Sequence, residues 1–135
     1  MASAYTSEQL RQWETYVGLP SKYHHASKPA LNIQYLNALH VHQIAAVPYE
    51  NLDLHYSHHH SVSLDPQTQF NKIVTEGRGR GGYCMEGNLL YNHILKAAGF
   101  NAHTVGVRIR PRVDGVPSGE YSGWYVIFLF SQLWD

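Results

Sequence analysis

The first hundred residues carry apolar positions at helical spacing. Leu10, Trp13 and Val17 follow one another at intervals of three and four. They come after Thr6–Gln9 (T-S-E-Q), which has the spacing of a capping box. Gly18 then breaks the pattern. The sequence therefore predicts a first helix that begins just after Thr6 and ends before Gly18.

Two more helices are predicted before the glycine-rich segment at residue 77. One begins near Pro29, and its apolar face comprises four residues at helical intervals, namely Leu31, Tyr35, Leu36 and Leu39. The other follows Asp65–Pro66, where a capping aspartate precedes a proline at the first helical position. Its apolar stripe is Phe70, Ile73 and Val74, and Gly77 ends it.

A fourth helix is predicted from Cys84 to Ala98, directly after the glycine-rich loop. Its buried face is predicted to comprise Leu89, Leu90, Ile94 and Ala97. Gly99 supplies a stop signal.

After residue 102 the spacing of the residues changes from a helical period to an alternation at every second position. His103, Val105, Val107 and Ile109 alternate with Thr104, Gly106, Arg108 and Arg110, which is typical of a strand. Asp114 to Gly123 is predicted to be a loop, and Trp124 to Phe130 a second strand, apolar on both faces. We expect an α+β fold, with a helical domain at residues 1–100. Residues 101–135 then hold the first strands of an incomplete β domain, because two strands do not make an independently stable sheet.

The composition places the chain among globular proteins and excludes several partners. Of 135 residues, 44% are hydrophobic and 15% charged, and ten basic residues balance ten acidic ones. A neutral chain gives no electrostatic reason to expect nucleic acid or an anionic membrane as a partner. No apolar run is long enough to span a bilayer, and no leader pattern opens the chain. With a single cysteine, these features predict a cytoplasmic protein.

Cys84 is the residue with the strongest chemical signal. It lies where the glycine-rich loop Gly77–Gly82 enters the fourth helix. Unpaired N–H groups at a helix start favour an anion, here a thiolate, and could hold the oxyanion of a tetrahedral intermediate. Arg78 and Arg80 add nearby positive charge. This context favours a nucleophile over the alternative, a small cysteine buried in a core.

The sequence gives weaker support for two other kinds of site, a nucleotide-binding loop and a metal site. The glycine-rich loop lacks the G-x-x-x-x-G-K-[ST] pattern of a nucleotide-binding loop, and no strand pattern directly precedes it. Histidine is abundant, and His55 with His58-His59-His60 could in principle bind a metal. Adjacent side chains on a loop do not converge on one ion, and no cysteine accompanies them at zinc spacing. A solvated polar loop is favoured, and no metal is expected.

The motif Arg80-Gly81-Gly82-Tyr83-Cys84, continued to Asn88, resembles the signature of the arylamine N-acetyltransferases. Gly99-Phe100 and the earlier segment Val47-Pro48-Tyr49-Glu50-Asn51-Leu52 match the same family in the same order. The resemblance covers roughly residues 5–124, and the residues of the motifs look most like those of fungal members. It implies a helical bundle followed by a β-barrel and a lid, in a fold of the cysteine-protease type.

The resemblance also implies a ping-pong reaction and a set of site residues. Cys84 would take an acetyl group from acetyl-CoA, or a malonyl group from malonyl-CoA, and pass it to an aromatic amine or hydrazine. Arg80 and Glu50 match residues that support the active-site loop, and we expect them to form a buried ion pair. Gly81, Gly82 and Tyr83 complete the supporting loop.

The sequence departs from the family where the catalytic histidine and aspartate are expected. No histidine occurs after His103, and neither His93 nor His103 matches the family position. Trp124-Tyr125-Val126 can be encoded by a sequence that contains a fungal splice donor. We therefore expect residues 125–135 to be translated intron, and the 135-residue form to be truncated and inactive. The alternatives are a non-catalytic module that associates with a full-length partner and a papain-like cysteine hydrolase.

Overall fold

The computed structural model describes residues 2–130, and of residues 124–130 it describes the backbone alone. The last five residues of the predicted intron-encoded tail lie outside the described residues. Within the described residues the architecture is α+β, as the sequence predicts, with five α-helices first and four strands after them. The helices are α1 (Ser7–Tyr16), α2 (Ile33–Ala46), α3 (Leu52–Tyr56), α4 (Pro66–Phe70) and α5 (Cys84–Ala98). The strands are β1 (Ala102–Arg108), β2 (Arg112–Val113), β3 (Val116–Pro117) and β4 (Trp124–Phe130).

The predicted capping box at the start of α1 is confirmed. The backbone N–H of Gln9 donates to the Thr6 hydroxyl at 3.2 Å, and the Gln9 side chain accepts from the Thr6 N–H at 3.0 Å. Leu10 and Trp13 point into the core, where each is at most 1% exposed. Gly18 follows the helix with a φ of 66°, a left-handed conformation that glycine adopts without strain.

Helix α2 begins later than the sequence predicted. Asn32 caps it by accepting the Tyr35 N–H at 2.9 Å, so the helix starts at Ile33 and not near Pro29. Leu31 therefore lies before the helix, with half of its surface exposed. Leu36 and Leu39 are buried, as predicted for the apolar face. Two short 3-10 turns, Ser21–Tyr23 and His25–Ser27, fill the connection from α1.

The predicted helix after Asp65 is present but changes its winding. Asp65 caps α4 by accepting the Thr68 N–H at 2.7 Å, and Pro66 takes the first helical position. From Asn71 to Thr75 the chain forms a π-helical turn, closed by the Glu76 N–H donating to the Asn71 carbonyl at 2.9 Å. The apolar stripe of this region, Phe70, Ile73 and Val74, is buried.

Helix α5 spans Cys84–Ala98, in agreement with the prediction. Gly99 ends it with a φ of 104°. Leu90 and Ile94 are fully buried, whereas the predicted core residues Leu89 and Ala97 are only partly buried. The helix is more enclosed than its predicted stripe suggested, because further residues along it are also buried: Tyr91, Asn92, Leu95 and Ala98.

The four strands form two small antiparallel sheets. Strand β1 pairs with β4 in a register that opposes Ala102 to Phe130 and Arg108 to Trp124, and both strands contact α5. The predicted loop after Asp114 contains β3, which pairs with β2. Asp114 and Gly115, with φ of 50° and 80°, form the two-residue turn between them, a combination that favours a tight hairpin. The prediction of a continuous loop at 114–123 was therefore wrong. Ile109, predicted as a strand residue, follows the end of β1.

One core is formed by the helices and the start of β1. Its largest fully buried side chains include Trp13, Tyr35, Phe70 and Leu90. A buried hydrogen bond from the Trp13 indole N–H to the Gln43 side-chain oxygen, 2.8 Å long, joins α1 to α2. Within the part of the chain that the structure describes, none of the helices has the length and apolar character needed to cross a bilayer.

The Trp13–Gln43 bond generates a prediction about stability. Gln43→Leu should lower the free energy of unfolding by about 1–3 kcal/mol, because the buried indole N–H loses its acceptor. Urea unfolding of the 135-residue chain, followed by tryptophan fluorescence, measures this change. Gln34→Leu, at an exposed position of the same helix, should change the stability by less than about 0.5 kcal/mol. Equal losses in the two variants would contradict the assignment.

Candidate active site around Cys84

Cys84 is the first residue of α5 and lies partly exposed at the mouth of the glycine-rich loop. The predicted loop-to-helix junction is confirmed. The first helical hydrogen bond runs from the Gly87 N–H to the Tyr83 carbonyl at 3.0 Å. The N–H groups of Cys84 and Met85 therefore precede the helical ladder and have no acceptor within the helix. Their partial positive charge favours an anion beside the thiol.

The loop that leads to Cys84 is hydrogen-bonded to the segment Val47–Leu52. Gly82 and Tyr49 form a parallel bridge, in which the Gly82 N–H donates to the Pro48 carbonyl at 3.3 Å. The Glu50 N–H donates in turn to the Gly82 carbonyl at 3.1 Å. The fold thus brings together the two motifs that the sequence analysis singled out.

Gly81 and Gly82 are required by close packing rather than by unusual backbone angles. A Cβ atom on Gly81 would lie 1.8 Å from the Pro48 carbonyl oxygen, which belongs to the backbone and cannot give way. A Cβ atom on Gly82 would lie 2.6 Å from the Cβ of Glu86. The absence of side chains here lets the loop lie flat against the Pro48 segment and the first turn of α5.

The predicted ion pair between Arg80 and Glu50 is present. The Arg80 Nε lies 2.9 Å from the Glu50 Oε1, with the two side chains 29% and 14% exposed, so the pair is partly buried. Glu50 also accepts the N–H groups of Leu52 at 2.5 Å and of Gly81 at 3.4 Å. Burial pulls the pKa of Glu50 upward, but the Leu52 N–H and the Arg80 guanidinium outweigh it and hold the pKa below its usual range.

Sequence reasoning missed three further charged residues beside this pair. The Arg80 Nη2 lies 2.7 Å from the Asp53 Oδ1, and the Lys72 Nζ lies 2.8 Å from the Asp53 Oδ2. The Lys72 Nζ also lies 2.5 Å from the Glu86 Oε1. The result is an unbroken chain of ion pairs in the order Glu50, Arg80, Asp53, Lys72 and Glu86, which we call the ion-pair chain.

The acidic ends of the ion-pair chain both hold the cysteine loop. Glu86 is 1% exposed, and its Oε2 accepts the Tyr83 N–H at 3.2 Å, while Glu50 accepts the Gly81 N–H. Burial pulls the pKa of Asp53 upward, but hydrogen bonds from Lys72 and Arg80 outweigh it and lower the pKa. The chain therefore connects charged side chains directly to the backbone on either side of Gly82.

Arg78 and Arg80, expected to add positive charge near Cys84, are both paired with carboxylates. Arg78 is largely exposed, and its Nε lies 3.6 Å from a Glu76 oxygen. Arg80 is shared between Glu50 and Asp53. Three carboxylates contact the loop or its arginine, namely Glu50, Asp53 and Glu86. They do not form a recognisable group in the sequence. Burial, followed by the charges of Cys84, Glu86 and Tyr49, raises the pKa of Tyr83, which fits a site rich in negative groups.

His93 has a hydrogen-bond partner other than Cys84. The Nδ1 of His93 accepts the Ala4 N–H at 3.0 Å, and burial followed by the charge of Lys96 lowers the pKa of His93. His103 is exposed on β1. Among the described residues, no hydrogen bond joins an imidazole to Cys84, and no three or more histidine, cysteine or acidic side chains are grouped so as to hold a metal ion.

The contact at Gly81 generates a second prediction. Gly81→Ala should destabilise the 135-residue chain by about 1–3 kcal/mol, because the new methyl group overlaps the Pro48 carbonyl oxygen. Gly87→Ala is the matched control, since nothing lies within 4 Å of the place its methyl group would take and alanine favours a helix interior by about 1 kcal/mol. Urea unfolding should give opposite signs for the two variants. A Gly81→Ala protein as stable as the wild type would refute the packing argument.

The ion-pair chain generates a third prediction, about pH. Because the folded-state pKa values of Glu50 and Asp53 are lowered, these groups stabilise the fold above their unfolded pKa values, about 4, and lose that contribution as the pH falls through the folded values. Asp53→Asn should therefore flatten the loss of stability on acidification below pH about 4. Asp114→Asn, at an exposed turn position, should leave the slope unchanged. Thermal unfolding across pH 2 to 7 measures both, and parallel curves for wild type and Asp53→Asn would contradict the prediction.

Comparison with known proteins agrees with the motifs and their placement. A sequence profile of the N-acetyltransferase family matches residues 32–117. The N-malonyltransferase FDB2 of Gibberella moniliformis is 31% identical over 148 aligned residues, covering 97% of this chain and 42% of the relative. The chain thus spans about two fifths of the length of this relative.

Two other relatives match a shorter part. The liver isozyme of arylamine N-acetyltransferase from Gallus gallus is 40% identical over 75 residues, which is 56% of this chain and 25% of the relative. The arylamine N-acetyltransferase of Escherichia coli is 36% identical over 80 residues, which is 59% of this chain and 27% of the relative. With the family match covering more than half of its residues, the chain belongs to the arylamine N-acetyltransferase family.

Proposed function

We propose that Cys84 is the nucleophile of an acyltransferase, accepting an acyl group from an acyl-CoA and passing it to an arylamine or hydrazine. The observation that carries this proposal is the position of the thiol at the first residue of α5, after a loop held on both sides by backbone bonds and carboxylates. Membership of the family supports the reaction class.

The transfer proceeds in two steps. The Cys84 thiolate attacks the carbonyl carbon of the acyl-CoA thioester, the bond from that carbon to the coenzyme sulfur breaks, and coenzyme A leaves as a thiolate that takes up a proton. The amine nitrogen of the acceptor then attacks the Cys84 thioester. The carbon–sulfur bond to Cys84 breaks, the nitrogen loses a proton, and the thiolate is restored.

The first turn of α5 supplies stabilisation for both steps. The N–H groups of Cys84 and Met85 precede the helical ladder, so they can donate to the oxyanion of each tetrahedral intermediate. Gly81 and Gly82 let the loop pack against Pro48 and Glu86, which fixes where the chain enters α5. Arg80, Glu50 and Tyr83 support the loop and do not react.

Among the residues that the structure describes, no imidazole is hydrogen-bonded to the Cys84 thiol to remove its proton. The imidazoles of His93 and His103 have other surroundings, and the sequence has no histidine after residue 103. An imidazole base would raise the thiolate fraction at neutral pH. We therefore propose that the 135-residue chain forms the thioester slowly and has little arylamine turnover.

The acyl donor is proposed to be acetyl-CoA or malonyl-CoA. Malonyl-CoA is favoured by the Gibberella moniliformis relative named N-malonyltransferase, which matches 97% of this chain, whereas the arylamine N-acetyltransferases of Gallus gallus and Escherichia coli match 56% and 59%. We also propose that residues 1–100 form the helical domain and that β1 and β4 correspond to the first strands of a barrel in a fold of the cysteine-protease type. A cytoplasmic location suits the reduced thiol.

Acyl labelling of Cys84 tests the proposal. The 135-residue chain, incubated with acetyl-CoA or with malonyl-CoA, should gain the mass of one acyl group at Cys84, and hydroxylamine should remove it as expected of a thioester. Cys84→Ser should remain unlabelled, while Ser21→Cys in a Cys84→Ser background controls for acylation of any exposed thiol. A label equal in the control, or none on Cys84 after prolonged incubation, would refute the proposal.

The same samples separate the alternatives. A papain-like cysteine hydrolase would cleave a peptide ester and release the acid without accumulating acyl transfer to an amine. A non-catalytic module would show neither labelling nor hydrolysis, and it would co-purify with a longer member of the family.

A further inference from the structure

Lys72 is the most enclosed cation of the ion-pair chain, and the proposed reaction gives it no role. Its side chain is 13% exposed, and its ammonium group bridges Asp53 on α3 and Glu86 on α5. Burial alone would lower the pKa of Lys72, but the hydrogen bonds that its ammonium donates to Asp53 and Glu86 raise it, so the ammonium stays charged. Lys72 lies in the π-helical turn, an irregularity that is common at functional sites.

Glu86 connects Lys72 to the nucleophile. It lies two residues after Cys84, in the first turn of the same helix, and it is 1% exposed. Its Oε1 faces Lys72 and its Oε2 accepts the Tyr83 N–H, so both oxygens have partners. Through the Tyr83 N–H, Glu86 contacts the residue directly before Cys84. A buried negative charge in the same helical turn as a thiol disfavours the thiolate unless a cation offsets that charge.

We propose that Lys72 is a positioning residue for Cys84. By binding the buried Glu86 carboxylate, it fixes the first turn of α5 and offsets the negative charge that would otherwise oppose the thiolate. This inference deepens the proposed function and depends on it, because it concerns the readiness of the same thiol to react.

The net charge of the ion-pair chain gives the direction in which each variant should change the reactivity of Cys84. Glu50, Asp53 and Glu86 contribute three negative charges, and Lys72 and Arg80 contribute two positive ones, so the ion-pair chain carries a net charge of −1. The phenol of Tyr83 also interacts electrostatically with Cys84, Glu86 and Tyr49. Lys72→Met changes the net charge to −2, Glu86→Gln changes it to 0, and the double variant restores −1.

The test is the pH profile of Cys84 alkylation in the full 135-residue chain. Iodoacetamide modifies the thiolate, and because Cys84 is the sole cysteine, the mass change reports on this site alone. Lys72→Met should move the midpoint of the profile to higher pH and slow alkylation at pH 7 by about threefold to tenfold. Glu86→Gln should move the midpoint to lower pH. The double variant should react within about twofold of the wild type, and Lys72→Arg should retain the wild-type profile.

Lys96→Met is the matched control, because it removes a lysine from the last turn of α5, about 18 Å along the helix from Cys84. Its profile should be unchanged. A purely structural role predicts that Lys72→Met and Glu86→Gln shift reactivity in the same direction or not at all, and either result would overturn the proposal. If circular dichroism shows Lys72→Met unfolded, Glu86→Gln decides by its sign: a midpoint that rises or stays fixed refutes the inference.

Acyl labelling of the same proteins separates this inference from the proposed function. Opposite alkylation shifts without any acyl label on wild-type Cys84 would refute the acyltransferase proposal and keep the electrostatic role of Lys72. Acyl labelling of Cys84 without the opposite shifts would keep the acyltransferase and refute the role of Lys72.

Discussion

The contact between the cysteine loop and the Pro48 segment is the constraint on which the site depends. Gly82 exchanges backbone hydrogen bonds with this segment on both sides of Tyr49, and Gly81 lies so close to the Pro48 carbonyl that no side chain fits. This contact sets where the chain enters α5 and so where the thiol is presented. The ion pairs then hold an arrangement that the backbone has already defined.

The ion-pair chain shows how buried charge can be tolerated at such a junction. A single buried carboxylate is costly, but each acid here has a cation on one side and, at the two ends, a backbone N–H on the other. Asp53 joins the two halves by binding both Lys72 and Arg80. Residues from α3, the π-helical turn and α5 therefore meet at one network, in which Lys72 of the π-helical turn links α3 to α5.

The features that could be predicted from the sequence are those whose causes are local. The capping box at Thr6, the aspartate and proline before α4 and the glycine after α5 each signal a helix end within a few residues. The start of α2 was harder to predict, because Pro29 and Asn32 are both residues that favour a helix start. In the structure the Tyr35 N–H donates to Asn32, and the helix therefore begins at Ile33. Asp114–Gly115 lies between two valines and favours a hairpin, but the glycines that follow also favour an irregular loop.

The candidate site was only half predictable for the same reason. Cys84 and its loop are contiguous in sequence, and the Arg80–Glu50 pair followed from the family resemblance. Lys72 and Glu86, which are fourteen residues apart, meet only because α4 and α5 pack together, and no local pattern encodes that meeting.

The π-helical turn has a consequence for how such a chain can change over evolution. A π turn accommodates one more residue than an α turn, and removing that residue rotates everything beyond it by about 100°. Such a deletion would leave the composition and charge of the chain almost intact. It would nevertheless turn either the ammonium of Lys72 or the apolar side chains of Ile73 and Val74 away from their partners. The length of this turn, and not only the identity of its residues, is therefore under constraint.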